Sequence, residues 1–318
     1  MSENPLVSII IPCRKIDDYT RECVRHCKQL SYGNFEIILL PDDASENMEG
    51  IKVVSTGLIT PGAKRNIGIS MSSGEICAFI DSDAYPRNDW LRNAVKYLAD
   101  PQVAAVGGPG ITPEEDGFMQ KSSGFVLSSF MVGGLSNRYR TKISYESYDI
   151  HSCNFMARKR VLNDVGGWNE KYWPGEDTLI CLAMQRQGLK LIEASDVVVY
   201  HHRRSLYTPH LKQVSRFGVH RGFFVKRFRG NSVKLTFFMP SFLLLAFIVT
   251  ALMSIGISFF SNVLLMVMSL YLVVSLISTL SQVKNLKMIL VVWSGSIMTH
   301  LAYGTSFLVG LLKRDLKR

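Results

Sequence analysis

The feature that limits the fold most is a long apolar tract in the last quarter of the chain. From residue 235 to residue 312 the sequence is almost continuously apolar, with breaks only at Ser261–Asn262 and at Gln282–Lys287. A tract of this length is typical of a membrane region. We therefore predict two to three transmembrane helices within 235–318, at about Phe237–Phe259, Val263–Ser281 and Met288–Leu312.

The third of these segments leaves two alternatives open. If it spans the membrane, the basic tail at 313–318 lies on the far side, against the rule that cytoplasmic flanks are positive. The segment also carries Gly295, Gly304 and Gly310. It is therefore either re-entrant or packed against a partner through its small residues, and such packing would allow a homo-oligomer through the membrane region.

Charge is distributed unevenly along the chain. Residues 201–318 contain 15 Lys and Arg and one acid, whereas residues 1–200 contain 21 Lys and Arg and 25 acids. In the segment 211–234 the basic residues alternate with phenylalanines, which predicts an interfacial helix attracted to anionic lipid headgroups. We therefore expect a lipid bilayer as a partner and no nucleic acid.

The N-terminal region has no pattern typical of export. Its first five residues contain neither the basic stretch nor the apolar core of a signal peptide. The six cysteines form no C-x-x-C pair, and we interpret them as reduced packing residues. We therefore expect a multi-pass protein of the cell membrane, with its catalytic domain on the cytoplasmic side.

The first 210 residues alternate between short apolar runs and helical patterns. The apolar runs are predicted strands: Val7–Pro12, Phe35–Leu40, Ile51–Val54, Glu75–Ile80 and Val103–Val106. This alternation is typical of an α/β domain whose Rossmann-like, mostly parallel sheet is flanked by helices. Ligands of such sheets bind at the carboxyl ends of the strands.

Two carboxylates follow the fourth predicted strand. Asp81 and Asp83 are one residue apart, so an extended chain places both side chains on one face. Two like charges at so short a distance raise each other's pKa unless a cation lies between them. Mg²⁺ and Mn²⁺ are cations that bind such oxygen ligands. Polar residues also follow two other strands, at Pro12–Arg14 and Asp42–Asp43. These clusters favour a ligand site at this edge over a solvated turn.

Several short motifs carry a resemblance to a known family. They are Val7-Ser-Ile-Ile-Ile-Pro12, Pro41-Asp42-Asp43-Ala-Ser45, Ala63-Lys64-Arg65-Asn66-Ile-Gly68, Gly74 to Asp83, Val165-Gly-Gly-Trp168-Asn-Glu170, Gly175-Glu176-Asp177 and Val199-Tyr-His201. In order and spacing these motifs resemble family 2 glycosyltransferases of the GT-A fold, over about residues 5–230.

The resemblance implies a nucleotide-sugar donor and a divalent metal, Mg²⁺ or Mn²⁺. Asp42 and Asp43 match aspartates that accept from the base, Asp81 should face the ribose, and Asp83 should hold the metal. The other donor residues that it implies are Pro12, Arg14, Arg65, Asn66, Ser82 and Arg216. Where Arg14 stands the family usually has an aromatic residue, so Arg14 is expected to contact phosphate or to indicate a donor other than a UDP-sugar.

The resemblance also implies an acceptor half. Asp177 would be the general base that takes the proton from the acceptor hydroxyl. Glu176 would orient the acceptor or the metal shell, and Trp173 would stack on a sugar ring. Asn154 would contact the acceptor or the donor sugar.

Two assignments rest on smaller observations. Of the adjacent histidines, we favour His201 over His202 as a metal ligand with Asp83, because it follows the predicted strand directly. Arg216 lies in a stretch similar to the Q-x-x-R-W element of processive synthases, with Phe217 in place of tryptophan. A guanidinium there could brace the donor diphosphate.

We predict from these residues an inverting, metal-dependent hexosyltransferase of cell envelope glycan biosynthesis. Its acceptor would be held in the membrane, as a polyprenyl phosphate, a polyprenyl-diphosphate-linked sugar or another glycolipid. One alternative is a glycoside hydrolase with a carboxylate pair, which would not need Asp42, Asp43 or Arg65. Another is a non-catalytic membrane scaffold with a GT-A fold, which the carboxylates at 81, 83 and 177 disfavour.

The apolar segment 124–135 is the last feature with two interpretations. It is either an amphipathic core helix or a surface helix that rests on the bilayer. We predict that part of it touches lipid.

Overall fold

The strands of the chain are short, and the central ones are buried. The computed structural model describes residues 4–43, 46–134, 137–140 and 143–316. Its strands are β1 (Val7–Pro12), β2 (Phe35–Leu40), β3 (Lys52–Val53), β4 (Ile76–Ile80), β5 (Ala84–Pro86), β6 (Val103–Gly107), β7 (Gly110–Ile111), β8 (Tyr145–Ser147), β9 (Asn154–Arg158), β10 (Lys190–Glu193) and β11 (Val199–His201). β1 and β2 have the predicted bounds, because each is a short, mostly apolar run with turn residues after it.

Local capping residues begin several of the helices. The helices are α1 (Asp18–Lys28), α2 (Pro61–Met71), α3 (Trp90–Leu98), α4 (Phe118–Ser128), α5 (Phe130–Gly133), α6 (Lys159–Asp164), α7 (Glu176–Arg186), α8 (Thr208–Arg227), α9 (Arg229–Ser232), α10 (Leu235–Ser254), α11 (Ser258–Leu280) and α12 (Leu286–Leu312). Asp17 caps α1, because its carboxylate accepts from the amide of Thr20. Asp89 precedes α3 but does not cap it, because its carboxylate binds Arg87 instead.

Parallel pairing dominates the main sheet. Within the described residues its strand order is β3-β2-β1-β4-β9-β6-β10-β8. The first four strands run parallel, and β10 is parallel to β6. β9 and β8 are antiparallel to their neighbours. The prediction of a mostly parallel α/β sheet is confirmed, and the carboxyl ends of β2, β1 and β4 lie along one edge.

Both faces of this sheet are covered by apolar side chains. Ile9 and Ile11 of β1 belong to a core cluster on one face, and Ile10 belongs to the cluster on the other. This alternation is what a strand buried on both faces requires. Each fully buried side chain of this size contributes about 1.5–3 kcal/mol relative to exposure.

A second, smaller sheet carries the histidine pair. Its order in the described residues is β5-β11-β7. β11 is antiparallel to β5, with His201 opposite Ala84. Because Ala84 follows Asp83, this register brings the end of β11 to the carboxylates that follow β4.

The chain divides into two compact units. The first comprises Met1–Pro113 with Asn137–His202, and the second comprises Glu114–Ser136 with Arg203–Arg318. We expected domains at 1–210, 211–234 and 235–318, so the segment 114–136 is an addition to the C-terminal unit. The role of 211–234 as an interfacial helix stays a prediction. Its residues form most of α8 and all of α9, and they end directly before α10.

The second unit contains the helices expected for a membrane region. Among the described residues, three helices are long and apolar enough to cross a bilayer: α10, α11 and α12. α12 is an unbroken helix of 27 residues, about 40 Å long. An unbroken helix of this length contradicts the re-entrant alternative for the third segment.

Small residues in the second unit pack against other helices of the same chain. A Cβ atom at Gly222 of α8 would collide with the carbonyl oxygen of Phe307 in α12, and one at Gly310 would collide with that of Val219. Gly304 likewise lies against the backbone of Pro240 in α10. The small residues that suggested a partner chain therefore serve close packing within the chain.

Buried polar side chains cross-link the second unit. His210 Nδ1 of α8 lies 2.8 Å from the Ser123 hydroxyl of α4, and His210 Nε2 lies 2.9 Å from the Thr299 hydroxyl of α12.

The segment predicted to touch lipid has both buried and exposed side chains. Val126 of α4 is fully buried, whereas Phe130 of α5 is 56% exposed. The segment 124–134 is thus partly buried and partly open, and its contact with lipid stays a prediction.

Candidate active site

The carboxyl ends of β1 and β2 bring predicted donor residues side by side. The amide of Asp42 donates to the carbonyl oxygen of Arg14 at 3.0 Å. The side chains of Arg14 and Asp43 are exposed, Asp42 is half-buried, and Pro12 is buried as the last residue of β1. The edge of the sheet therefore offers carboxylates and a cation to a ligand.

Asp81, Asp83 and His201 form a cluster that fits a divalent cation. Each offers one ligand atom, and these atoms all lie within 4.8 Å of one another. Two carboxylate oxygens and an imidazole nitrogen are donors that Mn²⁺ or Mg²⁺ accepts, with positions left for other oxygens. Ser82 lies between the two carboxylates and is half-buried.

The structure separates the two histidines. His201 Nε2 lies 3.2 Å from Asp83 Oδ1, whereas His202 Nε2 lies 2.9 Å from Glu22 Oε2. Burial lowers the pKa of His201, but Asp83 and Cys153 outweigh burial and raise it to about 10. His201 therefore lies in the cluster with Asp83, whereas His202 does not, and its role as a metal ligand stays a prediction.

Lys64 fixes the ends of β1 and β2. It lies in the first turn of α2, is 3% exposed, and its Nζ donates to the carbonyl oxygens of Cys13 and Leu40. The same Nζ lies 2.5 Å from Asp42 Oδ1. Lys64 thus orients a carboxylate predicted to bind the base. We missed it in the sequence, although a cation in the first turn opposes the helix dipole and could have indicated it.

Arg65, the next residue of α2, contacts other carboxylates than Lys64 does. Its guanidinium is 2% exposed and lies 2.8 Å from Asp81 Oδ1 and 2.9 Å from Glu176 Oε1. The ring of Trp168 lies below it, 4.9 Å from Cζ to the ring centroid. Arg65 is therefore close to the expected donor site, but its guanidinium holds two carboxylates of the protein.

Asn66 holds the loop that follows α6. Its side-chain oxygen accepts from the amide of Trp168 at 2.8 Å, and its amide donates to the Trp168 carbonyl at 2.9 Å and to Glu170 at 2.8 Å. Gly167 has φ of 74°, and a Cβ there would meet the Asn66 oxygen at 2.6 Å. A glycine is required at that position for both reasons.

The predicted acceptor residues surround the start of α7. Glu176 and Asp177 form its first turn, where the helix dipole favours negative charge. Glu176 is 3% exposed, and burial, followed by the charge of Asp177, raises its pKa to about 7. Asp177 is half-buried, with Oδ1 accepting from the amide of Thr178 at 2.8 Å. Trp173 is 51% exposed and available for stacking.

Two predicted site residues, Asn154 and Arg216, are not among the residues that the first unit brings together at the sheet edge. Asn154 is fully buried; its oxygen accepts from Trp90 Nε1 at 2.8 Å and its amide donates to the Val197 carbonyl at 2.7 Å. Its side chain thus joins α3 to the segment before β11. Arg216 lies in the middle of α8, in the second unit.

The segment that supplies most of these residues matches a known family. Residues 8–166, half of the chain, match the family model described as Glycosyl transferase family 2. The chain belongs to glycosyl transferase family 2. The prediction drawn from the motifs is confirmed.

This family 2 glycosyltransferase resembles other members over different lengths. It is 31% identical over 147 residues to the Pre-mycofactocin glycosyltransferase of Mycobacterium tuberculosis, which is 46% of this chain and 31% of that protein. The chain thus spans about a third of that relative. It is 23% identical over 270 residues to the dolichyl N-acetyl-α-D-glucosaminyl phosphate 3-β-D-2,3-diacetamido-2,3-dideoxy-β-D-glucuronosyltransferase of Methanococcus voltae, covering 78% of this chain and 82% of that protein.

The fold of this family 2 glycosyltransferase also has a solved counterpart. The mannosyltransferase PcManGT from Pyrobaculum calidifontis, in complex with GDP-Man and Mn²⁺, matches it with a TM-score of 0.65 at 17% identity. The match covers 96% of this chain and 88% of that one. The predicted GT-A fold is confirmed.

Proposed function

We propose that this family 2 glycosyltransferase is an inverting, metal-dependent hexosyltransferase that moves a sugar from a nucleotide donor to a membrane-held acceptor. The observation that carries the proposal is the cluster of Asp81, Asp83 and His201 at the same sheet edge as Asp42 and Asp43. A base site and a cation site next to each other suit a nucleoside diphosphate.

The donor half uses side chains in distinct roles. Asp42, oriented by Lys64, accepts from the nucleotide base together with Asp43, and Asp81 accepts from the ribose. Arg14 contacts phosphate, and Arg65 contributes by holding Asp81. The segments around Pro12 and Ser82 shape the pocket.

The metal site has a defined set of ligands. Asp83 and His201 would hold Mg²⁺ or Mn²⁺, with Asp81 as the second carboxylate of the cluster. When bound, the cation neutralises charge that develops on the departing diphosphate.

Asp177 is the residue that moves a proton. Its carboxylate takes the proton of the acceptor hydroxyl while that oxygen forms a bond to the anomeric carbon. The bond from the anomeric carbon to the diphosphate breaks in the same displacement, so the configuration inverts. A positioned base of this kind contributes about 10²–10⁴-fold to the rate. Trp173 stacks on the acceptor sugar ring.

The membrane region supports a lipid-linked acceptor. Three candidate membrane-spanning helices among the described residues would keep the enzyme at the bilayer. The name of the Methanococcus voltae relative includes a dolichyl-linked sugar phosphate. We take the acceptor to be a polyprenyl phosphate, a polyprenyl-diphosphate-linked sugar or another glycolipid in cell envelope glycan synthesis. The catalytic domain lies on the cytoplasmic side, where nucleotide sugars are made.

A donor screen tests this function. The full chain in lipid nanodiscs is heated with each common nucleotide sugar, with and without Mn²⁺. One or a few donors are expected to raise the melting temperature only when Mn²⁺ is present, because ligands of the folded state stabilise it. No stabilisation by any nucleotide sugar would contradict a donor site. Release of free sugar from a glycoside, with no nucleotide sugar consumed, would indicate a glycoside hydrolase.

A further inference from the structure

The contacts of Arg65 join two parts of the active site that are far apart in sequence. On one side its Nη2 lies 2.8 Å from Asp81, which follows β4. On the other its Nη1 lies 2.9 Å from Glu176, the first residue of α7. Asp81 belongs to the donor half and Glu176 directly precedes the candidate base Asp177. One buried guanidinium therefore links the donor half to the segment that carries the base.

Within the part of the chain that the structure describes, the two neighbours of Arg65 in α2 contact other segments. Lys64 holds Asp42 and the ends of β1 and β2, all on the donor side. Asn66 holds the backbone of Trp168 and the carboxylate of Glu170. Three consecutive residues of α2 thus anchor three different segments, and Arg65 is the one that spans donor and base.

The burial of Arg65 separates it from an ordinary ligand contact. The side chain of Arg65 is 2% exposed, and the side chain of Glu176 is 5% exposed. Among the described residues, Arg65 Nε is a buried donor without a hydrogen-bond partner. Buried donors are rarely left unsatisfied. Because Nε forms no hydrogen bond, the contacts of the two Nη atoms with Asp81 and Glu176 orient the guanidinium. A planar fork that binds two carboxylates at once sets their separation, which a lysine cannot do.

We propose that Arg65 is a positioning residue of the transfer reaction, which fixes the base-bearing start of α7 relative to Asp81 of the donor site. The inference rests on the proposed function, because it takes Asp81 as part of the donor half and Asp177 as the base. It gives Arg65 a role other than that of a direct donor ligand. Misplacement of a catalytic group by about 1 Å can cost about 10²-fold in rate, so this link matters for turnover.

A double-mutant cycle tests the proposal. Transfer kinetics are measured for the full chain in nanodiscs, for wild type, Arg65→Met, Glu176→Gln and the double variant. Arg65→Met is expected to lower kcat by about 10²-fold, with a smaller rise in the donor KM. The double variant is expected to match Arg65→Met within a few-fold, because the second change acts on a link that is already broken. Arg65→Lys is expected to fall between wild type and Arg65→Met.

Arg158→Met is the matched control for lost stability. Arg158 ends β9 of the main sheet, and its guanidinium donates to the backbone carbonyls of Leu98, Asp100, Pro101 and Val103. This variant is expected to lower the melting temperature and to leave kcat unchanged. If Arg65→Met does not fold, the same cycle is run with Arg65→Lys and Glu176→Gln.

The contradicting outcomes are distinct. Effects of Arg65 and Glu176 that multiply in the double variant would overturn the link, as would a loss confined to the donor KM, which a direct donor ligand would give. An active wild type with either result overturns the role of Arg65 alone. A wild type that transfers no sugar from any donor overturns both the proposed function and this inference.

Discussion

The Nε2 atom of His201 lies 3.2 Å from Oδ1 of Asp83, although the two residues are far apart in sequence. Their proximity follows from the small sheet, in which His201 pairs with Ala84, the residue after Asp83. His202, one residue later, projects to Glu22 instead. His201, the last residue of β11, and His202, which follows it, therefore offer a matched pair of variants.

The first prediction concerns the cation. His201→Ala is expected to abolish the Mn²⁺-dependent part of nucleotide stabilisation, because it removes a ligand from the cluster with Asp81 and Asp83. His202→Ala is expected to keep that part, even if its lost contact with Glu22 lowers the melting temperature. Melting curves with Mn²⁺ and nucleotide separate these effects. An equal Mn²⁺ response in both variants would remove His201 from the metal site.

The second prediction concerns the proton. Asp177→Asn keeps the size of the side chain but cannot accept a proton, so kcat is expected to fall by about 10²–10⁴-fold. Donor binding, measured by thermal stabilisation with Mn²⁺, is expected to stay within a few-fold of wild type. Asp164→Asn serves as the control, because Asp164 lies in an exposed pair with Arg160. Full activity of Asp177→Asn would show that another group takes the proton.

The third prediction concerns acid stability. Burial lowers the pKa of His210 to about 4, below its ordinary value of about 6.5. Above pH 6.5 the histidine is neutral in both the folded and the unfolded state. Below it the unfolded state binds a proton that the folded state does not, so stability falls as the pH drops toward 4. The expected loss is about 2 kcal/mol at pH 5.

The measurement for this third prediction compares slopes. Melting temperatures of wild type and His210→Gln are recorded between pH 7.5 and pH 5. Glutamine does not titrate, so its melting temperature is expected to fall less steeply with acid, whatever its value at neutral pH. Parallel curves for the two proteins would mean that His210 titrates normally in the folded state.

The fourth prediction concerns helix packing in the second unit. Gly222→Leu is expected to destabilise the protein by about 1–3 kcal/mol or more, because the new side chain would meet the backbone of Phe307 and Leu311. Gly256→Ala is the control, since a Cβ there has no atom within 4 Å. Thermal unfolding in nanodiscs compares the two. Equal melting temperatures would mean that α8 and α12 do not pack closely at Gly222.

Sequence patterns predicted the scaffold of the site well. The bounds of β1 and β2 follow from apolar, branched runs that end at turn residues, and these strands carry Pro12 and precede Asp42. The Asp81–Asp83 pair and the choice of His201 also followed from strand ends. In each case the signal is local, because the residue and its structural context are neighbours in the chain.

Contacts between distant segments could not be predicted in the same way. The pairing of Arg65 with Glu176 joins residues 111 positions apart, and nothing in either local sequence indicates the partner. Asn154 looked available for a ligand, but the antiparallel strand β9 turns it into the interior toward Trp90. Such side chains take their roles from tertiary packing, which a single sequence does not state.

The central claim is the transfer of a sugar from a nucleotide donor to a lipid. The full chain in nanodiscs that contain polyprenyl phosphate is incubated with Mn²⁺ and the labelled donor named by the stabilisation screen, and label in the lipid extract is counted against nucleoside diphosphate released. We expect equal amounts of labelled lipid and of nucleoside diphosphate, and an inverted anomeric configuration in the product. Asp83→Ala is expected to give neither labelled lipid nor nucleoside diphosphate. Label that appears as free sugar in water, or a product with retained configuration, would contradict it.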